Sequence, residues 1–169
     1  IGVNYAGQQS GLLRYYTGRK WGQFPRPVGV STSFGCASLC SHQDRILLLA
    51  TREDGVIHPN RTRWTTAGWS TTLARPIVLP TTNLWNDAGA GAIDIEEDVG
   101  TGVAIREMQN HIAVYFKRGM VLLERTGLYT RPYQRTVMTT KRGLIGTQAI
   151  TDVGNGVHFG IFDDGWFFV

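Results

Sequence analysis

Short apolar runs separated by glycine, aspartate and asparagine recur along this chain, and this repetition constrains its fold more than any other feature. The clearest runs are residues 45–50, 111–116 and 156–161, and helical periodicity is scarce. Runs of this length, rich in β-branched and aromatic residues and bounded by turn residues, predict strands. The chain is therefore expected to have an all-β fold.

Each run is followed by a second candidate strand, at residues 61–64, 120–123 and 166–168. The connections 117–119 and 162–165 contain glycine beside charged residues, which is typical of hairpin turns. The first connection, residues 51–60, is longer. The pattern predicts a series of antiparallel hairpins.

The hairpins repeat at a regular distance. A shift of 45 residues places 103–105 on 148–150 and 112–114 on 157–159 without a gap. An earlier copy fits at a shift of 66 residues, which places Ile46 on the second copy. Units of about 40–45 residues made of short strands have the spacing of β-propeller blades.

A propeller blade buries both of its faces only against neighbouring blades, so its strands are apolar on both faces. We predict β-propeller blades at approximately 31–91, 92–135 and 136–169, with residues 1–30 as a linker or part of an adjoining segment. Three blades do not close a ring, which predicts a partial propeller. A β-sandwich or barrel is the alternative.

The ends of the chain lead to the same expectation. It begins at Ile1 rather than methionine and ends on the apolar run 166–169, so a piece of a longer protein is expected, with an engineered truncation as the alternative. No run reaches the roughly 18 apolar residues of a membrane-spanning helix, so no membrane insertion is expected.

Three segments resemble the blades of propeller-bearing tail proteins of short-tailed bacteriophages. Residues 105–127 contain N-H-I-A-V-Y-F and, after a turn, G-M-V-L-L-E-R-T-G; residues 143–167 contain a glycine-led loop and the hairpin D-D-G-W-F. Residues 45–64 contain R-I-L-L-L-A and N-R-T-R-W. The family includes tail nozzle (tail tubular) proteins and packaged-DNA stabilisation proteins, and the resemblance covers residues 34–169.

This resemblance implies a virion structural protein of a phage tail nozzle or head–tail connector. Such proteins assemble as rings, here expected to be hexamers, beside other tail or portal-adaptor proteins. The ring lines and closes a DNA channel and retains packaged DNA until ejection. The resemblance implies no enzyme activity and no cofactor, and it implies assembly in the bacterial host cytoplasm before location in the virion.

The net charge is +4, with 17 basic and 13 acidic residues, so non-specific contact with packaged double-stranded DNA is one interpretation and ordinary solvated surface is the other. The turns 117–119 and 163–165 match in the repeat but carry opposite charges, which fits complementary surfaces between copies in a ring. The candidate DNA-channel or subunit-contact residues are Lys117, Arg118, Arg131, Arg135, Lys141 and Arg142, with Asp163 and Asp164 as a complementary acidic tip.

Three other groups of residues have both a functional interpretation and a structural one, which is packing or solvation. Acidic residues at 94–98 have the oxygen chemistry of a calcium site, but their alternation with isoleucine indicates a solvated strand end. Cys36 and Cys40 lie too far apart on a strand to share a disulfide or a metal, so small buried residues are expected. His111 and His158 are expected to be packing or edge residues rather than a metal pair, so no catalytic or metal-binding residue is predicted.

Aromatic residues give the alternative function. Five tryptophans and a series of tyrosines suit packing between blades, with glycan stacking as the other interpretation. The alternative is thus a carbohydrate-binding β-propeller, of a tail fibre or lectin type, recognising a cell-surface glycan. A propeller hydrolase would need converging carboxylates, which the sequence does not show.

Overall fold

The computed structural model describes residues 13–16, 19, 21–67 and 83–169, and this part of the chain is nearly all β. Strands make up 56% of it, with one short helix, so the all-β prediction is confirmed. The elements are β1 Arg14–Tyr16, β2 Trp21–Gln23, β3 Phe34–His42, β4 Arg45–Glu53, β5 Val56–Trp64, α1 Asn83–Asn86, β6 Gly91–Asp94, β7 Gly102–Met108, β8 His111–Phe116, β9 Met120–Arg125, β10 Tyr133–Thr139, β11 Ile150–Gly154, β12 Val157–Phe162 and β13 Gly165–Phe168.

The described strands form three antiparallel sheets in chain order and one two-stranded ribbon. The first sheet runs β3-β4-β5-β6, the second β7-β8-β9-β10 and the third β11-β12-β13, while β1 and β2 form the N-terminal ribbon. Every neighbour in a sheet is also a neighbour in sequence. Each sheet is therefore a meander folded from one continuous stretch of chain.

The second sheet is buried on both faces. Ile112, Val114 and Phe116 of β8 lie in a core shared with the first sheet. Ala113 and Tyr115, which alternate with them, lie in a core shared with the third sheet. The continuous apolar run of β8 is thus explained, because a strand covered on both faces needs no polar side.

The first sheet is likewise covered on its other face. Ile46 and Leu48 pack there with Leu13, Phe24 and Trp85 in a third core. The Trp85 ring lies edge-on to Phe24, with centroids 5.9 Å apart. The described part of residues 1–30 therefore packs against the first sheet, whereas residues 1–12 lie outside the described residues.

The first predicted connection is much shorter in the structure than in the sequence interpretation. Residues 51–60 were expected to link two strands, but β4 continues to Glu53 and β5 starts at Val56, which leaves a two-residue turn. The long strands are bulged at Ala50, whose φ is +53°. The predicted segment limits at 91/92 and 135/136 fall at β6 and inside β10, so each sheet extends a few residues beyond them.

The 66-residue match is confirmed by strand register, but the ungapped 45-residue match is wrong after β11. His42 pairs with Arg45 as Met108 pairs with His111, which is the predicted shift of 66. In the third sheet the register slips between Asp152 and Gly154, so β11 contains one extra residue. Because a one-residue slip exchanges the two faces of a strand, β12 matches β8 one residue later than the sequence alignment has it.

Candidate functional site

Three equivalent turns lie at the same end of the three sheets. Each joins the second strand of its sheet to the third, and we call them the tip turns: residues 54–55, 117–118 and 163–164. Each lies beside the segment that leads into the first strand of the same sheet. We call these the lead-in segments: residues 31–33, 98–101 and 142–147.

A backbone hydrogen bond fastens every tip turn to its own lead-in segment. The amide of the first turn residue donates to a lead-in carbonyl oxygen at 2.9 Å in all three sheets. The donor–acceptor pairs are Asp54 to Ser33, Lys117 to Thr101 and Asp163 to Gly143. The contact is independent of side-chain chemistry, so turns of opposite charge occupy the same place.

The side chains of the turns complement their lead-in segments. The Asp54 carboxylate accepts the amides of Ser31, Thr32 and Ser33 at 2.6–3.1 Å. Hydrogen bonds from Ser31 first, and then from Thr32, hold the pKa of Asp54 well below its usual range. This turn therefore uses a carboxylate as a cap for three free backbone donors.

The other two tip turns pair with charges of the opposite sign. Arg118 binds the Asp98 carboxylate, and both side chains are largely exposed. Arg142 Nε donates to Asp164 Oδ2 at 2.9 Å, and the Arg142 guanidinium lies 3.6 Å from the centroid of the Phe167 ring. The reversal of charge between equivalent turns is matched by a reversal in the lead-in segments.

The second tip turn also touches the third lead-in segment. Lys117 Nζ donates to the Ile145 carbonyl oxygen at 2.8 Å. Gly143 lies so close that a Cβ there would be 1.6 Å from the Lys117 carbonyl oxygen. This segment thus lies between two tip turns, and the candidate residues Lys117, Arg118, Arg142, Asp163 and Asp164 gather at one end of the molecule.

The remaining candidates are placed differently. Arg135 lies within β10, where it binds Glu97 Oε1 at 3.1 Å and the Asp94 carbonyl oxygen at 3.0 Å. Arg131 lies at the opposite end of the second sheet, where its carbonyl oxygen accepts the Thr126 hydroxyl. Lys141 is exposed beside Arg142. The structure does not bring all six basic candidates into one surface.

The acidic segment 94–98 supplies counter-charges to arginines. Asp94 binds Arg61 through two oxygens at 2.8 Å, and that hydrogen bond is the main reason why the pKa of Asp94 is lowered. Glu97 and Asp98 pair with Arg135 and Arg118. Across residues 13–16, 19, 21–67 and 83–169, no three acidic, histidine or cysteine side chains form a metal-binding group.

His158 is buried and Cys36 and Cys40 lie in packed positions, whereas His111 is half-buried at the start of β8. His158 Nε2 donates to the Glu107 carbonyl oxygen at 2.8 Å, so its Nδ1 accepts the Tyr115 hydroxyl at 2.8 Å. Cys36 and Cys40 are free thiols on β3, and burial raises the pKa of each to about 12. Thiols with such pKa values are poor nucleophiles.

The aromatic residues of the described part of the chain include both buried and exposed side chains. Trp64, Trp85, Tyr115 and Tyr133 are buried, as expected for packing between sheets. Trp166 is 74% exposed on β13. Trp69 lies outside the described residues.

Sequence reasoning missed the pairing of each turn with its lead-in segment. The sequence does contain a signal for this pairing. The charged partners Arg118–Asp98 and Arg142–Asp164 are separated by similar distances along the chain, 20 and 22 residues. Opposite charges at that separation occur in the second and third sheets, whereas the first sheet places Asp54 against uncharged residues. The pattern could be found only after the repeat had been aligned with its bulge.

A scan of known protein families and a search of curated proteins both found no match to this chain. No helix in the described part of the chain is long and apolar enough to cross a membrane.

Proposed function

We propose that this chain is a virion structural protein of a phage tail nozzle or head–tail connector. It would assemble with copies of itself in a ring, with portal-adaptor or other tail proteins as neighbours. The ring would surround and close the channel that retains packaged DNA. The role is mechanical and needs no catalysis or cofactor.

The observation that carries this proposal is the stacking of successive meander sheets around their first strands. Arg106 of β7 donates to Ser38 Oγ of β3 at 3.3 Å and to the Thr147 carbonyl oxygen, just before β11, at 3.3 Å. The Ile105 amide also donates to Ser38 Oγ, at 3.2 Å. One arginine thus joins the leading edges of three sheets.

Adjacent first strands, with both faces of the middle sheet buried, are what neighbouring propeller blades require. We therefore propose that the three sheets are blades of a partial β-propeller. The segments that resemble phage tail proteins coincide with these sheets, since residues 105–127 span β7, β8 and β9. The proposal is therefore supported both by this resemblance and by the way in which the sheets stack.

Ion pairs divide the six basic candidates into paired and unpaired side chains. Arg118 and Arg135 each bind an acidic side chain, so their charge is partly offset. Lys117, Arg131 and Lys141 form no ion pair within the described residues. We expect any DNA contact in the ring to be non-specific and weakened by salt, and to use unpaired side chains such as these more than the paired ones.

Electron microscopy of single particles tests the proposal. A sixfold ring with a lumen about as wide as duplex DNA is expected. Replacing Lys117, Arg131 and Lys141 with glutamine should then weaken DNA retention without changing the ring. Particles without rotational symmetry at concentrations where the protein is folded would refute the ring.

A charge-reversal series tests whether the tip turns meet between copies. Asp163→Lys with Asp164→Lys should weaken the ring, and the further changes Lys117→Asp and Arg118→Asp should restore it. If only the stability of the isolated chain changes, by about 0.2–1 kcal/mol as for an exposed ion pair, the turns act within one chain alone.

Carbohydrate binding is the second candidate, and exposed Trp166 favours it. Sugar recognition combines aromatic stacking with nearby polar groups, and Asp163 and Asp164 lie in the turn that precedes β13. Quenching of tryptophan fluorescence by bacterial polysaccharide, lost in Trp166→Ala but kept in Trp64→Phe, would support this candidate instead.

A further inference from the structure

Glu107 of β7 contacts a buried histidine on each side of the second sheet. Its Oε1 atom lies 2.9 Å from His42 Nδ1 of the first sheet, and its carbonyl oxygen accepts His158 Nε2 of the third sheet at 2.8 Å. We call these contacts the first joint and the second joint. Histidine is the side chain whose charge ordinarily changes between about pH 5 and 8. Both imidazoles are buried, at 1% and 0% exposed, so a proton added to either would act inside a joint.

In the second joint, both ring nitrogens of His158 are already hydrogen-bonded. The Glu107 carbonyl oxygen can only accept, so Nε2 carries the ring hydrogen and Nδ1 accepts the Tyr115 hydroxyl at 2.8 Å. A second proton would go to Nδ1, toward which the Tyr115 hydrogen points. That hydrogen would have to turn away, and within the described residues the Tyr115 hydroxyl contacts no other acceptor. A charged His158 would therefore leave a buried donor unpaired.

The groups that surround His158 give it little counter-charge. Asp152 of β11 is its cross-strand neighbour, but this carboxylate is exposed and accepts the Gly154 amide. In the described part of the chain, no carboxylate forms an ion pair with His158. The other charged or titratable groups beside the second joint are Arg106 of β7, His111 of β8 and Glu124 of β9, whereas β13 carries none. The positive charge of Arg106 acts on Tyr115 and opposes a second cation there.

The first joint already contains the counter-charge that the second lacks. A proton on His42 would complete an ion pair with the Glu107 carboxylate, which accepts Nδ1 and whose side chain is 49% exposed. The titratable groups around His42 and the adjacent Tyr133 ring are Cys40, Arg45 and Arg125. The two arginines weaken the ion pair, but the contact between Nδ1 and the carboxylate is the same with or without the added proton. Acid therefore leaves the first joint closed.

We infer that the second joint is an acid-sensitive contact: protonation of His158 releases the third sheet from the second, while the first sheet stays in place. A histidine that becomes exposed on opening takes up a proton below about pH 6.5, and the closed joint has no partner for that proton. Protons therefore favour the open joint, so the contact is complete at neutral pH and weakens as the pH falls through that range. The inference concerns one chain and does not depend on the proposed function.

Hydrogen exchange at pH 7 and pH 5, corrected for the intrinsic dependence of exchange on pH, tests the inference. Opening measured at the paired amides of β12 and β13 should increase about tenfold at the lower pH, because a released three-stranded sheet is only marginally stable. The amides of β4 and β8 should show no such increase. His158→Gln cannot gain a charge and should lose the increase. The matched control is His42→Gln, which removes the other buried imidazole and should keep it.

Asp152→Asn provides a second test that does not require replacing a buried ring. Removing the acid beside His158 should enlarge the increase at pH 5. An increase of equal size in the first and third sheets would show general acid unfolding and overturn the inference. A wild-type third sheet that exchanges equally at both pH values, or an increase that His158→Gln retains, would also overturn it.

Discussion

Gly143 shows how strongly one residue is determined by the meeting of two sheets. It lies in the third lead-in segment, against the backbone of the turn at Lys117. A Cβ 1.6 Å from a carbonyl oxygen cannot be accommodated by rotating a side chain. Glycine is required here by space rather than by backbone dihedral angles.

We therefore expect Gly143→Ala to lower the free energy of unfolding by at least about 2 kcal/mol, since the backbone itself must move. Urea denaturation measures the loss. Gly146→Ala is the matched control, because no atom lies within 4 Å of a Cβ at that position. Equal stability of the two variants would show that the segment shifts freely.

Tyr115→Phe should remove the hydrogen bond to His158 and leave a buried ring nitrogen without a donor. The expected cost is about 1–3 kcal/mol, from the unpaired buried group. Tyr133→Phe is the control, because Tyr133 is also a buried residue but its hydroxyl is not among the fully buried side-chain atoms of the described residues that lack a partner. Thermal or urea unfolding of both variants compares the two losses, and a cost for Tyr115→Phe no larger than that for Tyr133→Phe would contradict the assignment.

The lowered pKa of Asp54 predicts that the protein loses stability as the solution becomes more acidic. Its pKa is lower in the folded state than in the unfolded state, so its contribution is complete above about pH 4. The contribution is lost as the pH falls further toward the folded-state pKa. Asp54→Asn should thus flatten the decline of stability below pH 4, measured by urea midpoints at successive pH values.

Asp44→Asn is the control for that series, because Asp44 lies in the turn at the other end of the first sheet. The Asp44→Asn variant should show the same decline of stability below pH 4 as the wild type. A decline in Asp54→Asn as steep as that of the wild type would show that other carboxylates dominate acid unfolding.

Individual strands were predictable because each is a run of apolar residues with turn residues at both ends. The runs 45–50 and 111–116 fall within β4 and β8. The bulge in β11 was not predictable, because Val153 is an ordinary strand-forming residue and one extra residue leaves the composition of the strand almost unchanged. The sequence indicated the charged candidates one by one, but their partners could be assigned only after the strand register had been corrected.

The bulge gives a prediction about deletions. Removing Val153 should leave the faces of β11 and β12 unchanged, so we expect a folded protein that loses less than about 2 kcal/mol. Removing Phe159 should exchange the faces of the strand around it and prevent folding. Circular dichroism and urea denaturation distinguish these results, and equal damage from both deletions would contradict the register.

At the scale of the whole molecule, burial is uneven along the stack. The second sheet has two covered faces, whereas the third has one and ends in exposed aromatic residues. Sheets with fewer buried contacts open more readily. Stability should therefore fall from the second sheet toward the third.

Hydrogen exchange measures this gradient. Paired amides of β8 and β9 should exchange most slowly, and those of β12 and β13 should exchange faster. The comparison is made at low protein concentration, where contacts between copies do not protect amides. Equal protection in β8 and β12 would mean that the sheets open together as one unit.

Each tip turn binds its own lead-in segment, and this pairing affects whether similar sheets associate correctly while the chain folds. Because the sheets are alike, a turn could dock on the wrong neighbour. Exchange between the second and third sheets would bring Arg118 to Arg142 and Asp164 to Asp98, which places like charges together. The alternation of charge thus distinguishes correct from exchanged assembly, although the backbone hydrogen bond is the same in every sheet.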